Sequence, residues 1–288
     1  MSPFSRRVCV GLVAAVVSFG ALSTPAQAAE PSRYVALGDS FVSGPLIPNQ
    51  TGSPLGCFRS DSNYPSLVAE ALAVDEFVDV SCGGAQTVDM FEPQDTGLGV
   101  NPPQLDALDA NTTLVTLGIS GNDIGFADIL LTCLAPGVLD PLGSPCQDLY
   151  TDPDTGEDEL RQRIADAEAD VVAVVEAIAE RAPNAQVVFT GYLALLPESK
   201  GCWPIVPIAE GDVPYLDGVE HDLNAMIEGV SDAYGAQFVD VFERGHDMCA
   251  GHSERWVEGI IPTNPAFVVH PNANGMAHVA ERVVSDLG

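Results

Sequence analysis

Five short runs rich in β-branched and aromatic residues recur along this chain, at 34–37, 77–80, 114–117, 187–190 and 238–241, and helix-forming stretches lie between them. The runs are almost continuously apolar, as strands must be when both faces of a sheet are covered. The clearest helix spans 157–181, where Ile164, Ala167, Val171, Val174, Val175 and Ile178 form one stripe and acidic residues the opposite one. Pro183 ends it. Further helices are predicted at 64–72, 216–234 and 275–287. Strand and helix in alternation dictate a parallel, right-handed, doubly wound sheet.

Two segments break that rhythm, 124–155 and 193–213. Both follow predicted strands and both carry Gly or Pro, cysteine and apolar residues. They therefore emerge where α/β sheets hold their ligands, either as the wall or lid of an apolar pocket or as loops pinned by disulfides.

The first residues read as a secretory signal peptide spanning 1–28. Arg6 and Arg7 precede an apolar stretch over 8–22, and Ala26-Gln27-Ala28 supplies a small-x-small cleavage site. The stretch is too short for a stable membrane anchor. The remaining residues, 29–288, suffice for one α/β domain with an ample core. A net charge of −30, from 11 basic and 41 acidic residues, repels phosphate backbones and argues against nucleic acid as a partner. No later segment is apolar enough for membrane insertion, so an exported, soluble monomer is expected.

Without Cys9 in the leader, six cysteines remain: Cys57, Cys82, Cys133, Cys146, Cys202 and Cys249. An even number in an exported chain predicts three disulfides, although six cysteines allow fifteen pairings. Sequential pairing is the simplest, since each bond then staples one excursion from the sheet. Metal binding is not expected, because no Cys-x-x-Cys or clustered Cys/His spacing is present.

The first strand stops abruptly at Gly38-Asp39-Ser40, and His270 stands just before the last predicted helix. Ser40 taken alone could simply cap a helix. Ser81-Cys82-Gly83-Gly84, Gly121-Asn122-Asp123 and His270-Pro271-Asn272 supply three further blocks. These four blocks, in this order, resemble those of the SGNH (GDSL) hydrolases, and among them the secreted actinobacterial esterases and lipases. The resemblance spans about 34–280 and implies a three-layer α/β/α fold, flavodoxin-like, with a five-stranded parallel sheet.

The chemistry of these residues agrees. A serine hydroxyl needs a base to attack at neutral pH, and His270 is the candidate. The resemblance implies an oxyanion hole made by the backbone N–H groups of Ser40 and Gly84 and the side-chain amide of Asn122. Gly84 lets the backbone approach a substrate closely. As ordinary residues, Gly84 could serve a turn and Asn122 could brace its own backbone. Asp39 is expected to order the turn, and His221, His246, His252 and His278 to be structural or surface histidines.

One position departs from the family pattern. Many members carry an aspartate three residues before the histidine, where this chain has Phe267. A Ser40–His270 dyad is expected, with the backbone carbonyl of Phe267 accepting the imidazole's other N–H. The rivals are carboxylates from Asp247 or Glu258. A Gly-x-Ser-x-Gly elbow, a Walker loop and a Rossmann glycine fingerprint are all missing, so no cofactor is implied.

The resulting expectation is a secreted serine ester hydrolase, an esterase or lipase acting through an acyl-enzyme on small-molecule or lipid esters. Alternatives are a phospholipase A-type enzyme, a carbohydrate deacetylase, or a non-catalytic extracellular binding module.

Overall fold

The five apolar runs become the strands β1 Arg33–Gly38, β2 Glu76–Asp79, β3 Leu114–Gly118, β4 Gln186–Thr190 and β5 Gln237–Val239. All four neighbouring pairs are parallel, and the order across the sheet is β2-β1-β3-β4-β5. The computed structural model describes residues 32–288, so the expected leader at 1–28 lies outside the described residues. Every side chain of β3 is buried, as are those of β1 after Arg33, because helices cover both faces. Among the described residues no helix is long and apolar enough to cross a membrane.

Helices α2 Tyr64–Ala71 and α7 Ala273–Leu287 pack together, and α5 Glu159–Arg181 packs along α6 Asp212–Tyr234. Their starts are set by caps. The Asp158 carboxylate accepts from the N–H groups of Leu160 and Arg161, which fixes the start of α5. Asn272 caps α7 in the same way, through Asn274 and Gly275. Helix α6 begins four residues before the expected 216. Pro214 lies in its first turn, where a missing N–H costs nothing.

The segment at 124–155 is more regular than its composition implied. It folds into α3 Phe126–Leu139 and α4 Pro145–Tyr150. Asp212 fastens α4 to the start of α6 by accepting from the N–H groups of Cys146 and Gln147. The cysteines pair as Cys57–Cys82, Cys133–Cys146 and Cys202–Cys249. The second bond joins α3 to α4, and the third joins the loop after β4 to the loop after β5.

Sheet order decides where a ligand can sit. From β1 the chain moves outward to β2, then returns across β1 to β3. The carboxyl ends of β1 and β3 therefore flank the point where the winding reverses, the crevice in which such sheets bind ligands. Ser40 follows β1 and Asn122 follows β3.

Candidate active site

Gly38 ends β1 at φ +150°, and a Cβ there would come within 2.3 Å of Val42 Cγ2 and 2.5 Å of the Gly118 carbonyl oxygen. Only glycine fits. Gln104 clamps both sides of this residue, accepting from its N–H at 2.8 Å and donating to its carbonyl at 2.9 Å. Asp39 then caps a four-residue helix, α1 Ser40–Ser43, by accepting from the Phe41 N–H. Ser40 becomes the first helical residue, and its own N–H has no protein partner among the described residues.

His270 arrives from 230 positions away, and its Nε2 lies 2.8 Å from Ser40 Oγ. Its Nδ1 lies 2.7 Å from the carbonyl oxygen of Val268. A carbonyl only accepts, so Nδ1 carries the proton and the Nε2 of a neutral ring is left to accept from Ser40. Burial holds the imidazole below its ordinary proton affinity, and the bond to Val268 only partly offsets this.

The expected acceptor, Phe267, is corrected by one residue. Val269 adopts φ +60°, a left-handed backbone rare for a β-branched side chain. That reversal turns the carbonyl of Val268 toward the ring. Phe267 instead donates its N–H to Pro45 and sets its ring edge-on to His270, with centroids 5.3 Å apart.

Neither rival carboxylate touches His270. Asp247 accepts from the Cys249 N–H. Glu258 accepts from the N–H groups of Thr263 and Asn264 and from the side chains of Asn264 and Asn272. Burial would raise its pKa, but these bonds prevail and hold it down to about 2. The Glu258 N–H also donates to the His270 carbonyl, and the Val269 N–H to the Glu258 carbonyl. Glu258 thus braces the histidine loop without orienting the ring itself.

Gly84 and Asn122 meet Ser40 and His270 in one cavity of about 580 Å³. Gly84 has φ +75°, and its N–H has no protein partner among the described residues. Glycine is required there by its backbone, since an added Cβ would meet only Gln94 Nε2, at 3.8 Å. One Asn122 side-chain proton is given to the Ala85 carbonyl at 2.9 Å, which leaves the other for a ligand. The two loops are tied together. Asp123 accepts from the Thr87 N–H and hydroxyl, and Gln86 donates to the Asn122 carbonyl.

Tyr192 was not singled out in the sequence, yet it joins two of the blocks. Its hydroxyl donates to Asp39 Oδ2 at 2.6 Å and accepts from the Gly121 N–H at 2.7 Å. Burial pushes the Asp39 carboxyl up to about 7, against the opposing pull of the Tyr192 bond. Phe41 packs against both Tyr192 and His270. Only a lone aromatic after β4 marked Tyr192, which is too weak a signal to read.

The remaining histidines lie elsewhere: His246 and His278 stack on Trp256, His221 lies tilted against Phe242, and His252 is exposed. No group of three or more His, Cys, Asp or Glu able to hold a metal ion occurs among the described residues. The assembled site holds a hydroxyl facing a neutral imidazole nitrogen, and several free or half-free N–H donors. Such a set can activate a nucleophile and cradle an oxyanion.

The family described as GDSL-like lipase/acylhydrolase matches residues 36–278. Lipase 2 of Streptomyces coelicolor is 36% identical over 299 residues, covering 99% of this chain and 98% of that protein. Two solved structures superpose with a TM-score of 0.67 each. The phospholipase A1 of Streptomyces albidoflavus is 27% identical, and the extracellular lipase of Streptomyces rimosus is 29% identical. In both cases the match covers 88% of this chain and 99% of the other.

Proposed function

As the chain belongs to the GDSL-like lipase/acylhydrolase family and is a carboxylic ester hydrolase, we propose that it acts through a Ser40–His270 dyad and an acyl-enzyme intermediate. The observation that carries this reading is the 2.8 Å approach of His270 Nε2 to Ser40 Oγ, inside the cavity that Gly84 and Asn122 also line.

Ser40 Oγ attacks the ester carbonyl carbon as its proton passes to His270 Nε2. The oxyanion of the tetrahedral intermediate is held by the N–H groups of Ser40 and Gly84 and by the free amide proton of Asn122. His270 returns the proton to the leaving alcohol as the carbon–oxygen bond breaks, leaving the acyl group on Ser40. A water, deprotonated by the same nitrogen, then releases the acid. The Val268 carbonyl holds the ring in the required tautomer and is the orienting group, in place of a carboxylate.

The substrate class proposed is acyl esters of lipid type. The segments 124–155 and 193–213 contribute Phe126, Ala127 and Leu195 to the cavity, giving it an apolar wall. Phospholipid is the second class, favoured by the structural likeness to a phospholipase A1. Secretion is part of the proposal, with 1–28 as the leader and 29–288 as one hydrolase domain. Three disulfides support it, since such bonds persist outside the cytosol.

Hydrolysis of a p-nitrophenyl ester series beside triglyceride and phospholipid tests the reading. Cleavage of the esters with release of free fatty acid from one of the lipids is expected. A folded protein that cleaves none of them contradicts it.

A further inference from the structure

The mouth of the Ser40 cavity differs in charge from the rest of the chain. The sequence holds 11 basic and 41 acidic residues, yet the segments 45–58 and 259–269 contain none of either. Both segments reach the cavity, the first through Leu46 and Phe58 and the second through Phe267. They meet where the Phe267 N–H donates to the Pro45 carbonyl. The Cys57–Cys82 bond ties the first segment to the turn that carries Gly84.

What this rim shows to solvent is apolar. Leu46, Leu55, Phe58, Leu98 and Phe267 are between 38% and 73% exposed. The Phe58 ring lies beside Gly83, 3.7 Å from where a Cβ on that glycine would stand. Leu98, in the loop joining the paired segments Gln94–Asp95 and Val100–Asn101, packs on Gly56, its Cβ 3.3 Å from the corresponding point. Single exposed apolar side chains are ordinary, but a group of them around one opening marks an interaction face. Two are also held there against backbone preference, Leu46 at φ +62° and Phe58 at φ +52°. Asn or Gly takes that conformation at lower cost, so folding alone does not call for a bulky apolar residue at either position.

We propose that this rim is a docking face for an uncharged lipid surface, that of an acylglycerol film. The proposal deepens, and rests on, the reading of the Ser40 cavity as a site for lipid esters. A protein partner or a second copy seated on the rim would close the entrance. A lipid surface covers the same side chains and supplies ester to Ser40. Burial of the rim gives the affinity, and a net charge of −30 keeps the protein off anionic lipid.

The test measures entry into compressed monolayers of diacylglycerol and of phosphatidylglycerol, in a Ser40→Ala background where no lipid is turned over. The parent is expected to enter the diacylglycerol film and to stay off phosphatidylglycerol. Leu55→Ser combined with Leu98→Ser weakens entry at least about tenfold. In the active enzyme the same pair slows hydrolysis of the film more than that of dissolved p-nitrophenyl butyrate. Leu46→Asn, which suits the left-handed backbone, weakens entry while keeping the thermal stability. Leu139→Ser combined with Leu142→Ser is the control and leaves entry unchanged. These two leucines are more exposed still, but they lie at the far end of α3, about 20 Å along the helix from Phe126. A folded rim variant that enters the film as the parent does overturns the proposal. So does equal loss in the control pair, equal entry into phosphatidylglycerol, or a stable dimer that the rim pair abolishes. A protein that enters the film but cleaves no ester contradicts the reaction proposed for Ser40 and not the docking face. One that cleaves dissolved esters yet stays off diacylglycerol contradicts the docking face alone.

Discussion

The Nδ1 proton of His270 is directed at the carbonyl oxygen of Val268, 2.7 Å away, and not at any carboxylate. Two residues of backbone therefore do the orienting usually assigned to an acidic side chain. The arrangement depends on the left-handed conformation of Val269. That conformation is held by the paired bonds between Glu258 and the segment 269–270. Strain of this kind persists only where surrounding structure over-determines it.

A neutral acceptor leaves the imidazolium less stabilised than a carboxylate would, and burial adds to this. Because the folded-state proton affinity of His270 is lowered, the neutral, base-competent ring survives to lower pH. The acid limb of kcat/KM is therefore expected below the ordinary histidine value of about 6.5. The unfolded chain takes up this proton first, so the group's contribution to stability falls as pH drops through its unfolded value. A pH–rate profile checks the first point, and a limb at or above the ordinary value contradicts it.

Asn122→Ala removes the only side-chain donor assigned to the oxyanion. It should lower kcat by roughly a hundred- to a thousandfold with little change in KM. Steady-state kinetics on one soluble ester decide it, and an effect confined to KM takes Asn122 out of that role.

Tyr192→Phe deletes a single hydroxyl that bridges Asp39 and Gly121. The loss leaves a buried carboxyl oxygen and a buried N–H unsatisfied, at a cost of about 1–3 kcal/mol. Denaturant unfolding should show that loss. Because the bridge ties the Ser40 turn to the Asn122 loop, kcat should fall further than KM rises. Unchanged kcat with reduced stability would make the bridge purely structural.

Cys57–Cys82 closes a loop of 25 residues and anchors the turn that carries Gly83 and Gly84. Replacing both cysteines by serine should destabilise the fold by roughly 3–4 kcal/mol on loop-entropy grounds. It should also lower kcat by loosening the Gly84 donor. Thermal unfolding and kinetics on the double variant test both parts.

The sheet was legible because fully buried parallel strands leave continuous apolar runs, and the β1 run stops where Gly38 is sterically required. Ser40, Gly84, Asn122 and His270 were legible because each stands in a motif with a chemical reason for its residue type. Phe267 was misplaced by one residue, since a carbonyl acceptor has no side-chain signature and the φ of Val269 cannot be read from a valine. Tyr192 was missed because its partners, Asp39 and Gly121, lie far away in sequence. Helices α3 and α4 were obscured by prolines, one inside α3 and one at the start of α4.

Everything in the mechanism depends on Ser40 being the residue that forms the covalent bond. Treating the folded, disulfide-intact protein with a fluorophosphonate and mapping the adduct by peptide mass spectrometry asks this directly. The account predicts one adduct, on Ser40, that is lost in Ser40→Ala and strongly slowed in His270→Ala. A wild-type protein that hydrolyses esters yet takes no label, or takes it on another residue, contradicts it.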